Sequence, residues 1–423
     1  MKKILAFLII VLSLSISAQT STQVLSRVRG VFFDAVVIPS EKNADCYVTY
    51  HIAYNRFVFT KDKDVFTSRF SLTVEAQDSL SGRVYREIVS SEHRAKDFEE
   101  TNSEYKYFQG FVKLSLPAGT YKVTPIVNDL NTSSESLLPP FGIKVNAPDV
   151  KWALDPIVVK EVPSGGKDEK TKVLAGLDGN IPFSEEDYDL IIPVEDTTLT
   201  SVFAEMKNND SIVFKDTLKN SFISRLSFSQ DEGNITTGSA SGARPTRNFI
   251  LPGFNEKLQE GDLYITLKHG NKDVAGFKRS VVWYNKPRSL NNLEYAVKVL
   301  KNIAPESEVA ASVKAKGGLD YKNIVAFWKK FDPTPLTAYN ELMAEFYERV
   351  DYALKSFSLI SNPDGADTDR GKIYIKFGKP KSVERVYTDS RDVSEVWTYD
   401  SPERRFIFVD KTGLGNFMLN GKL

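Results

Sequence analysis

Cysteine and histidine are nearly absent from this chain of 423 residues, which has one Cys and three His. Cys46 has no partner for an internal disulfide, so ordinary cores must hold the fold, although exported proteins often rely on such bridges. It opens the apolar run Cys46 to Ile52 and reads as a buried strand residue rather than a nucleophile. His51, His93 and His269 all precede residue 288. That removes Ser–His and Cys–His nucleophile pairs from the C-terminal third, and the same counts argue against His-rich and thiolate zinc sites. A phosphate-cradling loop is also missing, because Gly365 to Gly371 lacks the Lys-Ser/Thr ending that such loops need. Net charge is zero, with 55 basic and 55 acidic residues, so no field gathers nucleic acid or an anionic membrane. Beyond the N-terminus, no apolar run is long enough to span a bilayer. No cofactor, nucleic-acid partner or membrane span is expected.

The N-terminus has the order of an export signal. Lys2-Lys3 precede an apolar run from Ile4 to Ile16, and Ser15-Ile16-Ser17-Ala18 supplies small residues for cleavage. A signal peptide over 1–18 is expected, giving an exported protein, periplasmic or secreted. No Cys follows the cleavage region, so a lipid anchor is not expected.

Aromatics are plentiful, with 27 Phe and 18 Tyr, which suits β-rich packing. From Val28 to about Val145 short strands alternate with turns; Phe70, Leu72, Val74 and Ala76 mark one face of a strand. Residues 151–284 repeat that character, with strands at Pro156–Val162, Leu190–Val194, Ser211–Phe214, Ile223–Phe228, Leu263–Lys268 and Gly276–Tyr284. Ser164–Glu169 and Gly233–Arg247 read as solvated loops. The two segments look like copies: Leu116, Gly119, Tyr121 and Val123 share their spacing with Leu258, Gly261, Leu263 and Ile265. Phe141 and Val145 match Phe277 and Val281 in the same way, and each segment ends on Asn-x-Pro.

After Pro287 the period shifts to helical. Leu293 to Ile303 and Ile324 to Phe331 give two apolar helix faces. A longer helix is expected to open at Pro335 behind a Thr334 cap and to run to Phe357. Lys372–Phe377, Val383–Tyr387, Glu395–Tyr399 and Arg405–Val409 then read as a meander, which Gly413–Leu419 can extend. The fold class is therefore multidomain and mainly β: two tandem antiparallel β-sandwiches of Ig/fibronectin-like type, then an α+β domain of helices plus an antiparallel meander. The expected units are 19–148, 149–287 and 288–423.

The last third carries a recognisable set of residues. It includes Asp332-Pro333-Thr334-Pro335, Asn340-Glu341, Glu345-Phe346-Tyr347, Arg349-Val350, Gly365-Ala366-Asp367-Thr368-Asp369, Arg370-Gly371 and Phe377-Gly378-Lys379-Pro380. These resemble the GWxTD-domain family of bacterial envelope proteins, named for the pentapeptide at 365–369. Here Ala366 stands at the Trp position. The resemblance implies an envelope location and no established activity. With the tryptophan missing, either a nearby aromatic fills its space or the loop is looser than in relatives, and Ala366→Trp is expected to be tolerated if the ring only packs.

Carboxylates are the remaining chemistry. Asp364, Asp367 and Asp369 fall in one loop and allow a weak calcium reading against a solvated acidic turn. The family pattern singles out Glu341, Glu345, Arg349, Gly365, Thr368, Asp369 and Arg370. In one reading their charged members line a polar cleft between long helix and meander, where paired acids act as acid and base. In the other they form a hydrogen-bonded clamp fixing the loop to the helix. The clamp is preferred, because perturbed charge networks are often structural. The expected function is accordingly a non-enzymatic envelope interaction, scaffold or ligand-binding role, with an envelope protein or glycan as partner. A carboxylate-based hydrolase of envelope polymers and a glycan-binding module are the alternatives.

Overall fold

The computed structural model describes residues 30–422 apart from 148–152, 166–168, 232, 243, 271, 314–318, 361, 388–391 and 401–402. The expected signal peptide, 1–18, lies outside the described residues, as does the tip of the 164–169 loop.

The first segment contains β1 (Val31–Pro39), β2 (Ala44–Ala53), β3 (Thr60–Asp62), β4 (Val65–Asp78), β5 (Val84–Ala95), the one-turn helix α1 (Phe98–Thr101), β6 (Tyr107–Leu116), β7 (Gly119–Asp129), β8 (Ser134–Leu137) and β9 (Phe141–Val145). Strands β1-β2-β6 make one antiparallel sheet; β5, β4, β7 and β9 make the other, with β3 and β8 at its margins. Phe70, Leu72, Val74 and Ala76 of β4 are all buried and face Cys46, Val48, Tyr50 and Ile52 of β2 in one cluster. Strand β2 is buried almost end to end, because its opposite face is covered as well. There Tyr47 packs with Ile157, Val159, Leu226 and Phe228 of the second segment.

The second segment adds β10 (Ile157–Pro163), β11 (Lys170–Leu174), β12 (Ile181–Pro182), β13 (Asp189–Val194), β14 (Val202–Asn208), β15 (Ser211–Leu218), β16 (Ser221–Asp231), β17 (Asn234–Ala240), β18 (Thr246–Leu251), β19 (Gly261–His269) and β20 (Lys272–Val282). One layer is the sheet β12-β20-β19-β14-β15; the other closes as the barrel β10-β11-β17-β16-β18-β13. The stretch read as a solvated loop, 233–247, instead holds β17 and the start of β18. Its polar text hides the strand because one large apolar residue, Ile235, reaches the core shared with the first segment.

The repeat read from spacing is a repeat of pairing. Gly119 pairs Val145 and Val123 pairs Phe141 across β7–β9. Gly261 pairs Val281 and Ile265 pairs Phe277 across β19–β20. The strand orders β5-β4-β7-β9 and β15-β14-β19-β20 correspond one to one. The second copy differs by the strands that close its other layer.

The C-terminal segment contains α2 (Leu293–Val299), α3 (Glu306–Val313), α4 (Tyr321–Trp328), α5 (Glu341–Phe357), α6 (Asp369–Phe377) and the antiparallel sheet β21 (Ser382–Tyr387), β22 (Val393–Asp400), β23 (Glu403–Asp410) and β24 (Met418–Lys422). Trp328, Phe346, Tyr347, Tyr374, Trp397 and Phe408 centre its core, which Trp283 and Leu290 also join. Phe183 and Trp283 meet Tyr339 edge-on, with centroids 5.2 and 5.5 Å away, so aromatic packing bridges the second and third segments.

Two expectations fail here. Residues 372–377 are the body of α6 rather than a strand: Gly371, Tyr374 and Ile375 are its buried face, at helical spacing. The long helix opens at Glu341 rather than Pro335. Asn340 caps it by accepting from the Met343 amide at 2.8 Å while donating to the Trp328 carbonyl at 3.1 Å. Thr334 instead begins a turn closed by the Thr337 amide.

Candidate functional site

The loop at 365–371 is built on two glycines. A Cβ at Gly365 would lie 2.2 Å from the Ala353 carbonyl oxygen of α5, and one at Gly371 2.0 Å from the Gly365 carbonyl oxygen. Backbone therefore packs on backbone twice in succession, which no larger residue permits. Between them Thr368 accepts from the Gly371 amide at 3.1 Å and donates to the Gly365 carbonyl at 2.7 Å. It thus caps α6 and closes the preceding turn with one hydroxyl. Ala366 is 1% exposed and belongs to the core.

The acids of this loop point to different partners. Asp364 accepts from Tyr295 Oη and Lys298 Nζ, both at 2.7 Å. Asp367 pairs with Lys298 at 2.9 Å and Lys301 at 2.6 Å. Burial pushes the Asp367 carboxyl up, but hydrogen bonds from the two lysines outweigh it and hold the group at about 2. Asp369 turns the other way and accepts from the Leu419 amide of β24 at 2.8 Å. The calcium reading of Asp364, Asp367 and Asp369 therefore loses its basis: lysines already neutralise the first two, and the third does not face them. Among the described residues no cluster of three His, Cys, Asp or Glu is arranged to hold a metal ion.

The remaining family residues also divide. Arg370 reaches the buried carboxylate of Glu395 at 3.3 Å and the Gly415 carbonyl at 3.2 Å, with its guanidinium 4.3 Å from the Phe417 ring centroid. Glu395 is 2% exposed and also accepts from Arg385 Nε at 2.9 Å and Trp397 Nε1 at 3.2 Å. Arg349 donates to the Ile375 carbonyl at 3.4 Å, at the C-terminal end of α6, and pairs with Glu345. Cations belong at that end of a helix. Glu341 accepts from the Thr334 hydroxyl at 2.8 Å. Asp369 and Arg349 thus mark opposite ends of α6, about 12 Å of helix axis apart.

The structure places the charged family residues in four local fastenings rather than in one cleft or one clamp. Glu395 and Arg385 were missed by the sequence reading. The available signal was phase: Glu395 shares the inward face of β22 with Trp397 and Tyr399. An acid in that register needs a buried cation. Asp410 was missed as well. It ties the β23–β24 loop by accepting from the amides of Thr412 and Gly413, both at 3.0 Å, and Gly415 at 2.6 Å.

Two of the four rare residues, Cys46 and His51, are taken into the cores, while His93 is partly buried and His269 exposed. Cys46 is buried, and burial pushes its thiol up to about 12, leaving no thiolate for chemistry. His51 is buried too, and desolvation lowers it to about 4.

No curated protein matches the chain. Among solved structures, the titin Ig tandem domains resemble it at 8% identity, covering 59% of this chain and 95% of that one, with a TM-score of 0.12. A likeness that weak adds nothing to the strand pairing described above. The model of the GWxTD domain matches residues 263–419, starting inside β19 and ending in β24, so it takes in the last hairpin of the second β segment together with the helices and sheet that follow. The C-terminal part of this chain is a GWxTD domain.

Proposed function

We propose that this is an exported, non-catalytic envelope protein that works by binding, with two joined β segments holding a GWxTD domain as part of an interaction or scaffold unit. The observation that carries this reading is the fate of the family carboxylates. Glu341, Glu345 and Asp369 each meet a different donor of the chain itself: Thr334, Arg349 and the Leu419 amide. Acid–base hydrolysis of a glycosidic polymer calls for two carboxyl groups about 5–9.5 Å apart across one open site. The α6 helix keeps Asp369 from Glu345, whose partner Arg349 sits at the far end of that helix, so this pair does not supply such a site. Export is supported by the charge and apolar order of residues 1–18. Among the described residues no helix is long and apolar enough to cross a membrane.

The test is in situ photo-crosslinking of the tagged chain in the intact envelope, followed by affinity capture. A defined protein or glycan species should be recovered in stoichiometric yield. Release of fragments from purified envelope polymers by the mature chain, abolished in Asp369→Asn, would overturn the binding reading in favour of a hydrolase.

A further inference from the structure

Resting on that binding reading, we propose that the open cleft between α1 and the outer face of α5 binds a neutral oligosaccharide. The cleft measures about 1300 Å³ and is lined by residues 96–106 of the first segment and by Arg288 and residues 351–355 on the other side. That exceeds the roughly 300–1,000 Å³ of pockets for single small molecules, so it suits an oligomeric ligand.

Two aromatic side chains stand on opposite walls. Phe98 is 69% exposed and Tyr352 44% exposed. The Tyr352 ring is stacked on Tyr374 at 4.3 Å and 16°, which fixes its orientation before any ligand arrives. Most charged groups at the rim are already engaged: Glu104 takes Arg288, Glu100 takes Lys106, and Asp351 accepts from the Arg288 and Ser289 amides. Among the described residues Glu99, Lys96 and Lys355, which also line the cleft, make no side-chain hydrogen bond or ion pair, and Asp97 caps α1 through the Glu100 amide without forming an ion pair. The site therefore offers the rings of Phe98 and Tyr352, with exposed Tyr105 beside them, and two acids and two bases that form no ion pair among the described residues.

A pyranose chain suits this lining. Its C–H faces cover Phe98 and Tyr352, its hydroxyls donate to the Glu99 carboxylate, and a ring or hydroxyl oxygen accepts from Lys355. Unpaired charges in balance, Asp97 and Glu99 against Lys96 and Lys355, favour a neutral sugar over a uronic or phosphorylated one. Peptide ligands fit less well. Helix and turn line the walls, so no strand edge among the lining residues is open for β-addition, and the one arginine of the lining is already paired.

Isothermal titration of the full mature chain with neutral hexasaccharides of the chito-, cello-, malto- and manno- series is the test. At least one series should bind with micromolar Kd. Phe98→Ala and Glu99→Gln should each weaken it by about tenfold with unchanged melting temperature, since both side chains are exposed. No heat from any series overturns the cleft proposal, and so does binding that survives both substitutions. If the sugars fail while crosslinking still captures a protein partner, the cleft is wrong and the binding reading stands. If both fail, both fall.

Discussion

Gly371 approaches Gly365 so closely that one methyl group separates a closed loop from an open one. Gly371→Ala puts a Cβ 2.0 Å from a carbonyl oxygen, with backbone on both sides and no flexible side chain to yield. A loss of at least about 3 kcal/mol is expected, read as a collapse in the denaturation midpoint of the mature chain. At the neighbouring position the ring expected to be tolerated meets a filled site: Ala366 is already inside the core. Ala366→Trp should destabilise by about 1–3 kcal/mol, and an unchanged melt would show that the loop keeps hidden space. The charged residues separate by what their loss leaves behind. Glu395→Gln strips the counter-charge from the largely buried Arg370, at a cost of about 3–5 kcal/mol. Asp369→Asn keeps an oxygen that can accept from the Leu419 amide, and should stay within about 1 kcal/mol. Urea titration of the two variants checks the order, and a costlier Asp369→Asn would return the clamp to that residue.

Helix α6 shows where an element can mislead. Ile373, Ile375 and Phe377 alternate with polar or aromatic residues, which is the pattern of a strand. The helix forms because Thr368 caps it, Gly371 docks it on Gly365, and Arg349 meets its C-terminal carbonyls. Those partners come from a cap, a close approach and another helix, so local periodicity carries only part of the information. Thr368→Ala should cost about 1–2 kcal/mol, because it removes both the cap and the bond to the Gly365 carbonyl. Thermal melts of that variant beside Thr368→Ser would separate lost bonds from lost volume, with serine recovering most of the difference. The long helix moved in the same manner. Pro335 is a good first residue on paper, but Asn340 bonds both the helix amide and the Trp328 carbonyl, and that tertiary bond fixes the start.

Across the whole molecule, the cores pass through the boundaries that composition had drawn near 148 and 287. Tyr47 packs with strands of the second segment, and Trp283 with the helices of the third. Asp34 of β1 lies at the first junction, where Gly179 of the second segment comes close enough that a Cβ there would be 3.4 Å from Asp34 Oδ1. Burial, above all, raises this carboxyl to about 6, with Asp155 and Asp178 adding to it against the pull of the Ala35 amide and Arg279. An acid raised in the folded state contributes its stability below about pH 4 and loses it as pH climbs through 6. Asp34→Asn should therefore melt above the wild type at pH 7.5, by about 1–3 kcal/mol, and together with it at pH 4. A lower melt at pH 7.5 would mean that the attraction of Arg279 outweighs burial. His51 works in the opposite sense: held neutral down to about 4, it costs the folded state stability as pH falls below 6.5.

By itself the sequence determined the β character of residues 30–147 and 153–282, the repeat between them, and the GWxTD set in the last third. Each of these is written in local periodicity or fixed spacing, which survive without knowledge of contacts. The register match of Gly119–Val145 with Gly261–Val281 shows how much such spacing holds. Only the tertiary structure decided that β17 closes a barrel, that 372–377 is helical, and that Glu395 rather than Asp369 receives the buried arginine. Those outcomes depend on groups far apart in the chain that must share low-dielectric space, where an unpaired charge or carbonyl costs more than any local preference.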